Sequence, residues 1–207
     1  PSHSQLAAYF QAYAINFDVE KYISFGTEVL SAKPLDGDRW SVRIARDGVE
    51  SEQIFDALVV ANGHHWRPRM PTYPGTFSGR MLHSHDYKNA QPFAGQRVLV
   101  IGGGNSGCDV AVETARVSAR TDLSWRRGYW IVPKFIFGKP ADTIAAGSNW
   151  LPRTLRMRIN EVLLRVMQGS NTQHGLPEPD HRFGATHPTV NSELMYALRH
   201  GHVGPKP

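Results

Sequence analysis

The stretch "RVLVIGGGNSGCDVAVE", Arg97 to Glu113, is the part of the sequence on which the fold turns. Val98, Leu99, Val100 and Ile101 form a short, uninterrupted apolar run, the pattern of a parallel strand buried on both faces. Gly102, Gly104 and Gly107 follow at GxGxxG spacing, with Gly103 between the first two. In a strand-turn-helix, Gly102 allows the tight turn, Gly104 lets backbone N–H groups approach a pyrophosphate, and Gly107 lets the new helix pack against the strand. The helix N-terminus contributes partial positive charge. Ala111 and Ala115, four residues apart, give the helix a small-residue face towards the sheet. A bare GxGxxG occurs in many glycine-rich loops, but here a strand pattern precedes it and a helical pattern follows, the context that identifies a dinucleotide-binding turn.

The next strand selects the nucleotide. "TDLSW", Thr121 to Trp125, reads as that strand, and its end is where an NAD site places an Asp or Glu on the ribose 2′-hydroxyl. No carboxylate stands there; the chain continues with Arg126 and Arg127. A guanidinium fork matches a 2′-phosphate, which a carboxylate would repel, so NADP(H) is favoured over NAD(H). Two solvated arginines in a turn are the alternative reading.

With 207 residues the chain can bury a good core and holds one domain, or one and a half. Its net charge of +5 comes from 23 basic and 18 acidic residues spread along the sequence, without the basic blocks or Arg-aromatic stripes of a nucleic-acid surface. Cys108 is the single cysteine, which excludes an intrachain disulfide and a CxxC redox pair and suits a reducing, cytoplasmic setting. No signal peptide or long apolar span is visible, so no transmembrane segment is expected.

Residues 1–62 read differently. Ser2 and Gln5 fit a capping box, and Leu6, Tyr9, Phe10, Tyr13 and Phe17 follow at helical spacing, predicting a helix with one packed face. "KYISFGTEVLSAK", "RWSVRIA" and "EQIFDALVVA" are three β-rich segments separated by Asp-Gly turns, hence a β-meander. The apolar run Ala57 to Ala61 predicts an interior strand ending at Asn62 and Gly63, with its partner strands not evident in this chain. A long connection follows, in which Pro68, Pro71 and Pro74 favour a stiff, extended linker.

Within that linker Phe77, Gly79, His83 and Tyr87 fall at FxGxxxHxxxY spacing. Together with "VVANGHHWRPRMP", the glycine-rich stretch and the closing "HGHVGPKP", they make the chain resemble the flavin-containing monooxygenase family along essentially its whole length. The related Baeyer-Villiger enzymes end this motif with Trp where Tyr87 stands. The resemblance implies an α/β fold: a Rossmann-like dinucleotide-binding domain with a parallel sheet, preceded by a helix and β-meander that belong to a split FAD domain. Residues 1–62 are then the tail of the FAD-domain segment and 63–203 the NADP(H)-binding domain, with a helical insertion at about 145–190; 204–207 return towards the FAD domain. An FAD loop is expected ahead of residue 1.

The cofactor-binding residues implied are Gly102, Gly103, Gly104, Asn105, Ser106, Gly107, Arg126 and Arg127, with Asn62, Gly63 and His83. Asn105 and Ser106 match the family's Gly-Asn-Ser form of the NADP loop, and Arg126 falls where the family carries its 2′-phosphate arginine. Asn62 departs from the family's usual Thr, and His83 is read as a residue that locks the linker by hydrogen bonding. The implied cofactors are NADP(H) and FAD, and the implied partners are O2 and a small nucleophilic substrate with a soft nitrogen or sulfur. Baeyer-Villiger oxygenation and a non-catalytic NADP(H)-binding module are the alternatives; a homo-oligomer is left open.

The chain offers no catalytic residues of its own. His64 with His65, and His83 with His85, lack a Cys or carboxylate cluster at metal-ligand spacing, and Ser106 lacks a GxSxG elbow. Asn149 to Gly169 predicts a basic amphipathic helix starting near Pro152. Leu155, Ile159, Val162, Leu163 and Val166 form its apolar face, read as packed on its own domain in preference to a membrane or partner. Gly169 to His187 is expected to be irregular and to cover the cofactor.

Overall fold

The computed structural model describes residues 2–147 and 150–206, so Pro1, Asn149 and Pro207, which bound the expected first segment, basic helix and return, lie outside it. The chain divides into two units, Pro1–Trp66 and Arg67–Pro207. No helix among the described residues is long and apolar enough to cross a membrane.

The first unit opens with helix α1, His3–Asn16, whose first turn is closed by the expected capping box: the Gln5 N–H donates to Ser2 Oγ, and the Ser2 N–H to Gln5 Oε1 at 2.7 Å. Its aromatic side chains touch one another along the helix, Tyr13 and Phe17 at 4.5 Å between centroids, but no residue of α1 is buried. The predicted packed face exists as a stripe without a covering layer. Strands β1, Thr27–Leu35, β2, Arg39–Arg46, and β3, Val49–Phe55, form the expected antiparallel meander in that order. Asp47 and Gly48, with φ of 51° and 79°, make the two-residue loop between paired Arg46 and Val49, the left-handed geometry that Asp-Gly suits. The predicted interior strand at Ala57–Ala61 is not a strand: β3 ends at Phe55, and Val59 and Val60 are 86% and 76% exposed. An apolar run becomes a strand only where a neighbouring backbone takes up its N–H and C=O groups, and the first unit offers none.

The second unit begins with an extended linker to Gln96, interrupted by a 3-10 turn at Gln91–Phe93. Strand β4, Arg97–Ile101, helix α2, Asn105–Ala115, and strand β5, Arg120–Ser124, then form a βαβ crossover, with Leu99 opposite Asp122 in the parallel ladder. After β5 come three short strands, β6, Ile131–Val132, β7, Phe135–Ile136, and β8, Lys139–Pro140. Helices α3, Ala141–Gly147, and α4, Arg153–Gln168, follow, then strand β9, Thr189–Val190, parallel to β6. Helix α5, Leu194–Arg199, leads into β10, Val203–Lys206, which pairs with β5 to complete a parallel sheet in the order β10-β5-β4. The expected return at 204–207 thus supplies, over its first three residues, sheet backbone.

The core lies on one side of this sheet, where Val100, Leu123 and Val203 meet Cys108, Ala111 and Val112 of α2 and Leu194, Ala197 and Leu198 of α5. Ala111 is fully buried, so the small face brings α2 close to the strands. The expected burial on both faces is not found: Leu99 and Ile101, on the other side, are 58% and 52% exposed. Both helices that flank the sheet in this unit lie on the Val100 side, and the alternating side chains of β4 divide accordingly.

Helix α4 also departs from its sequence pattern. It is present and follows Pro152, but Leu155, Ile159, Val162 and Val166 are exposed. The inward stripe is Met157, Glu161, Leu164 and Gln168, offset by two residues, about 200° around the helix. Polar anchoring accounts for the choice: Glu161 Oε1 accepts from the Phe183 N–H at 2.9 Å and Gln168 Nε2 donates to the Ile131 carbonyl at 3.0 Å. These bonds satisfy irregular backbone that no ladder serves.

Candidate dinucleotide site

The glycine turn sits at the carboxyl end of the sheet. Gly102 leaves β4 with φ of 118°, accessible to glycine, and its N–H donates to the Ser124 carbonyl at 2.9 Å, tying the turn to the end of β5. Each following glycine answers to a different neighbour. A Cβ on Gly103 would lie 2.3 Å from the Trp125 indole, and a Cβ on Gly107 would lie 2.1 Å from the Gly102 carbonyl oxygen. A Cβ on Gly104 would meet nothing within 4 Å. Gly103 and Gly107 are therefore required by packing, Gly107 in the role its spacing predicts, whereas Gly104 borders open space.

That open space faces the start of α2. Gly104 is the N-cap and offers no side-chain cap, so the N–H groups of the first turn keep their donor capacity and the helix dipole is uncompensated. Trp125 Nε1 is buried next to Gly103 without an acceptor. An orphaned donor behind the loop costs about 1–3 kcal/mol and adds positive potential that an anion on the outer face offsets. These features fit a pyrophosphate.

Arg126 and Arg127 follow β5 directly, and both are exposed. They differ in surroundings. The Arg127 guanidinium lies 5.2 Å from the Tyr129 ring centroid and close enough to Asp180 to act on its carboxyl. That carboxyl is held below its usual value, first by its hydrogen bond with His181 and further by Arg127.

The linker motif lies within the same unit. A Cβ on Gly79 would lie 2.5 Å from the Phe77 ring, which explains the FxG spacing. His83 Nδ1 accepts from the His85 N–H at 3.1 Å, a local lock of the kind its position predicts. Tyr87 reaches further: its hydroxyl donates to Glu113 Oε2 on α2 at 2.8 Å, and its ring stacks on Phe93 at 5.9 Å. Burial, then the hydrogen bond and charge of Glu113, push the Tyr87 hydroxyl well above its usual value.

Within the second unit the structure brings Gly102 to Gly107 and Arg126 and Arg127 to one end of the sheet. Asn62 and Gly63 belong to the first unit, where the Asn62 carbonyl accepts from Trp66 Nε1. Asn105 is already engaged, its Oδ1 accepting from the Val190 N–H at 2.7 Å, while Ser106 is exposed. Sequence reasoning missed the segment behind the loop. Thr189 Oγ1 donates to the Gly103 carbonyl at 2.8 Å, and Asn191 Nδ2 donates to Asp109 Oδ1 at 2.8 Å. Asn191 Oδ1 also accepts from the Glu193 and Leu194 N–H groups, an Asx cap legible in "NSEL" ahead of α5. Nothing local betrays Thr189.

The family model described as flavin-binding monooxygenase-like matches residues 2–207. Flavin-containing monooxygenase 5 of Oryctolagus cuniculus is 36% identical over 97% of this chain and 40% of its own length. The chain thus spans about two fifths of the curated relatives it matches. Among solved structures, S-allyl-L-cysteine S-oxygenase from Allium sativum is 32% identical, with a TM-score of 0.58 over 61% of this chain and 29% of that one. A structure of OTEMO in complex with FAD and NADP shares the fold, with a TM-score of 0.72 at 19% identity over 100% of this chain and 51% of its own.

Proposed function

Because this chain belongs to the flavin-binding monooxygenase-like family, we propose that its glycine-loop unit holds NADP(H) for an enzyme that uses NADPH, FAD and O2 to oxygenate soft nitrogen or sulfur nucleophiles. The observation that carries this reading is the pairing of an open Gly104 at an uncapped helix N-terminus with Arg126 just beyond the neighbouring strand. When bound, FAD and NADPH supply hydride transfer and the activation of O2, chemistry beyond the reach of ordinary side chains.

The residues of this chain bind, orient and exclude water. First-turn N–H groups of α2 take the pyrophosphate, and Arg126 forks the 2′-phosphate. Arg127, already stacked on Tyr129 and facing Asp180, is the second and weaker phosphate contact. Asn62 and Gly63 are proposed to approach the cofactor from the first unit. His83 and Tyr87 hold the linker, Tyr87 by anchoring it to Glu113 of the loop's own helix. The irregular segment 169–187 is proposed to close over the nucleotide and keep water from the reacting centre.

Tyr87, where Baeyer-Villiger relatives carry Trp, supports a soft nucleophile over a ketone as substrate. The 32% identical neighbour, an S-oxygenase of S-allyl-L-cysteine, supports sulfur in particular. The test supplies the full-length holoprotein with NADPH and O2 and offers a thioether, a tertiary amine and a cyclic ketone. Sulfoxide and N-oxide are the expected products. Lactone as the dominant product would establish Baeyer-Villiger oxygenation instead, and no turnover of any of the three would favour a non-catalytic NADP(H)-binding module.

A further inference from the structure

We propose that Thr189 is a positioning residue for the pyrophosphate loop, its hydroxyl fixing the Gly103–Gly104 peptide so that the Gly104 N–H faces the nucleotide. This rests on the reading of Gly102 to Gly107 as the NADP(H) loop.

In a trans peptide the carbonyl and the following N–H point in opposite directions, so holding one aims the other. The Gly103 carbonyl is held from behind: Thr189 Oγ1 donates to it at 2.8 Å and Cys108 Sγ lies 3.6 Å away. The Gly104 N–H therefore points to the opposite side, where a Cβ on Gly104 meets nothing within 4 Å and where, among the described residues, no acceptor awaits it. Glycine on both sides of this peptide makes it free to rotate, which is why it needs an external tie.

Thr189 is well placed to be that tie. It is 2% exposed, so water does not compete for its hydroxyl. Its own backbone is fixed by the short parallel ladder of β6 and β9, through Thr189 N–H to the Trp130 carbonyl at 2.8 Å and Asn191 N–H to the Val132 carbonyl at 2.9 Å. Two flanking bonds, Val190 N–H to Asn105 Oδ1 and Asn191 Nδ2 to Asp109 Oδ1, clamp the same segment to the first turn of α2. The strand that closes the insertion thus sets the geometry of a loop 86 residues earlier in sequence.

The experiment compares Thr189→Val, which keeps the side-chain volume and removes the hydroxyl, with Thr189→Ser, which keeps the hydroxyl and removes a methyl. Binding of NADPH and of adenosine 2′-monophosphate is measured by titration calorimetry on the full-length protein. The second ligand carries the 2′-phosphate but no pyrophosphate. Loss of an aimed donor to a charged phosphate predicts about tenfold weaker NADPH binding in Thr189→Val. Its affinity for adenosine 2′-monophosphate stays at the parent value, and Thr189→Ser binds both ligands as the parent does. The Ser variant keeps the test open if the Val variant does not fold. Unchanged NADPH affinity in Thr189→Val, equal loss of both ligands, or the full loss in Thr189→Ser would overturn the proposal. A parent protein that binds no NADPH would instead remove the reading on which it rests.

Discussion

Two alanine substitutions in one loop separate packing from ligand space. In Gly107→Ala the new Cβ stands 2.1 Å from the Gly102 carbonyl oxygen and 3.1 Å from its carbon. Relief needs a shift of about 1 Å between β4 and α2, and overpacking of this kind costs about 3 kcal/mol against backbone that cannot rotate away. The neighbouring Gly102 N–H is tied to Ser124, which blocks the easiest escape. Replacing glycine in a helix returns about 1 kcal/mol of propensity, leaving a net loss near 2 kcal/mol. For a unit of this size that lowers the unfolding midpoint by about 4–8 °C. Misplacing the first-turn donors by about 1 Å also weakens NADPH binding by about a hundredfold. Gly104→Ala behaves differently, because its φ of −78° suits alanine and a Cβ there meets no protein atom. Lost N-cap preference and reduced unfolded-chain entropy offset to within about 0.5 kcal/mol, so stability holds while the Cβ occupies the space proposed for the pyrophosphate. Thermal unfolding and NADPH titration of both variants check this. Parent-like NADPH affinity in Gly104→Ala, or parent-like stability in Gly107→Ala, would refute the division of roles among the glycines.

Other outcomes follow from the linker and the buried thiol. Tyr87→Phe removes the bond to Glu113 and lowers stability by about 0.5–1.5 kcal/mol, read by chemical denaturation. Because the folded protein keeps the Tyr87 proton longer than the unfolded chain, the stability linked to it is fully present below pH about 10 and is lost as pH rises further. The matching phenolate absorbance should emerge well above pH 10 and be missing from the Tyr87→Phe titration. Burial, with Asp109 nearby, pushes the Cys108 thiol up to about 12, so a disulfide reagent at pH 8 should leave the native protein unmodified and react after unfolding. Rapid stoichiometric reaction without denaturant would contradict that.

Local chemistry was the legible part of the sequence. The Ser2–Gln5 capping box, the Asp47–Gly48 hairpin and the strand-turn-helix around Gly102 each depend on residues within a few positions of one another, and each stands as read. What the pattern could not convey is which layer covers a face. Leu99, Ile101, Val59 and the Leu155–Val166 stripe share the periodicity of buried elements and are exposed, because periodicity reports which residues lie together and not what lies against them. In α4 the deciding bonds come from Glu161 and Gln168, polar residues that a hydrophobic pattern assigns to solvent. The Thr189 contact with Gly103 spans 86 residues and carries no local signature, so only the folded chain displays it.

The central claim is that this unit is built for the 2′-phosphorylated dinucleotide, and titration calorimetry of the full-length protein and its Arg126→Ala variant against NADPH and NADH tests it most directly. One charge-assisted phosphate contact is worth about 1.5–3 kcal/mol, so the parent should bind NADPH roughly ten- to a hundredfold more tightly than NADH. Arg126→Ala should lose most of that preference while its NADH affinity stays as it was. Equal affinity of the parent for both nucleotides, or a preference untouched by Arg126→Ala, would contradict the account.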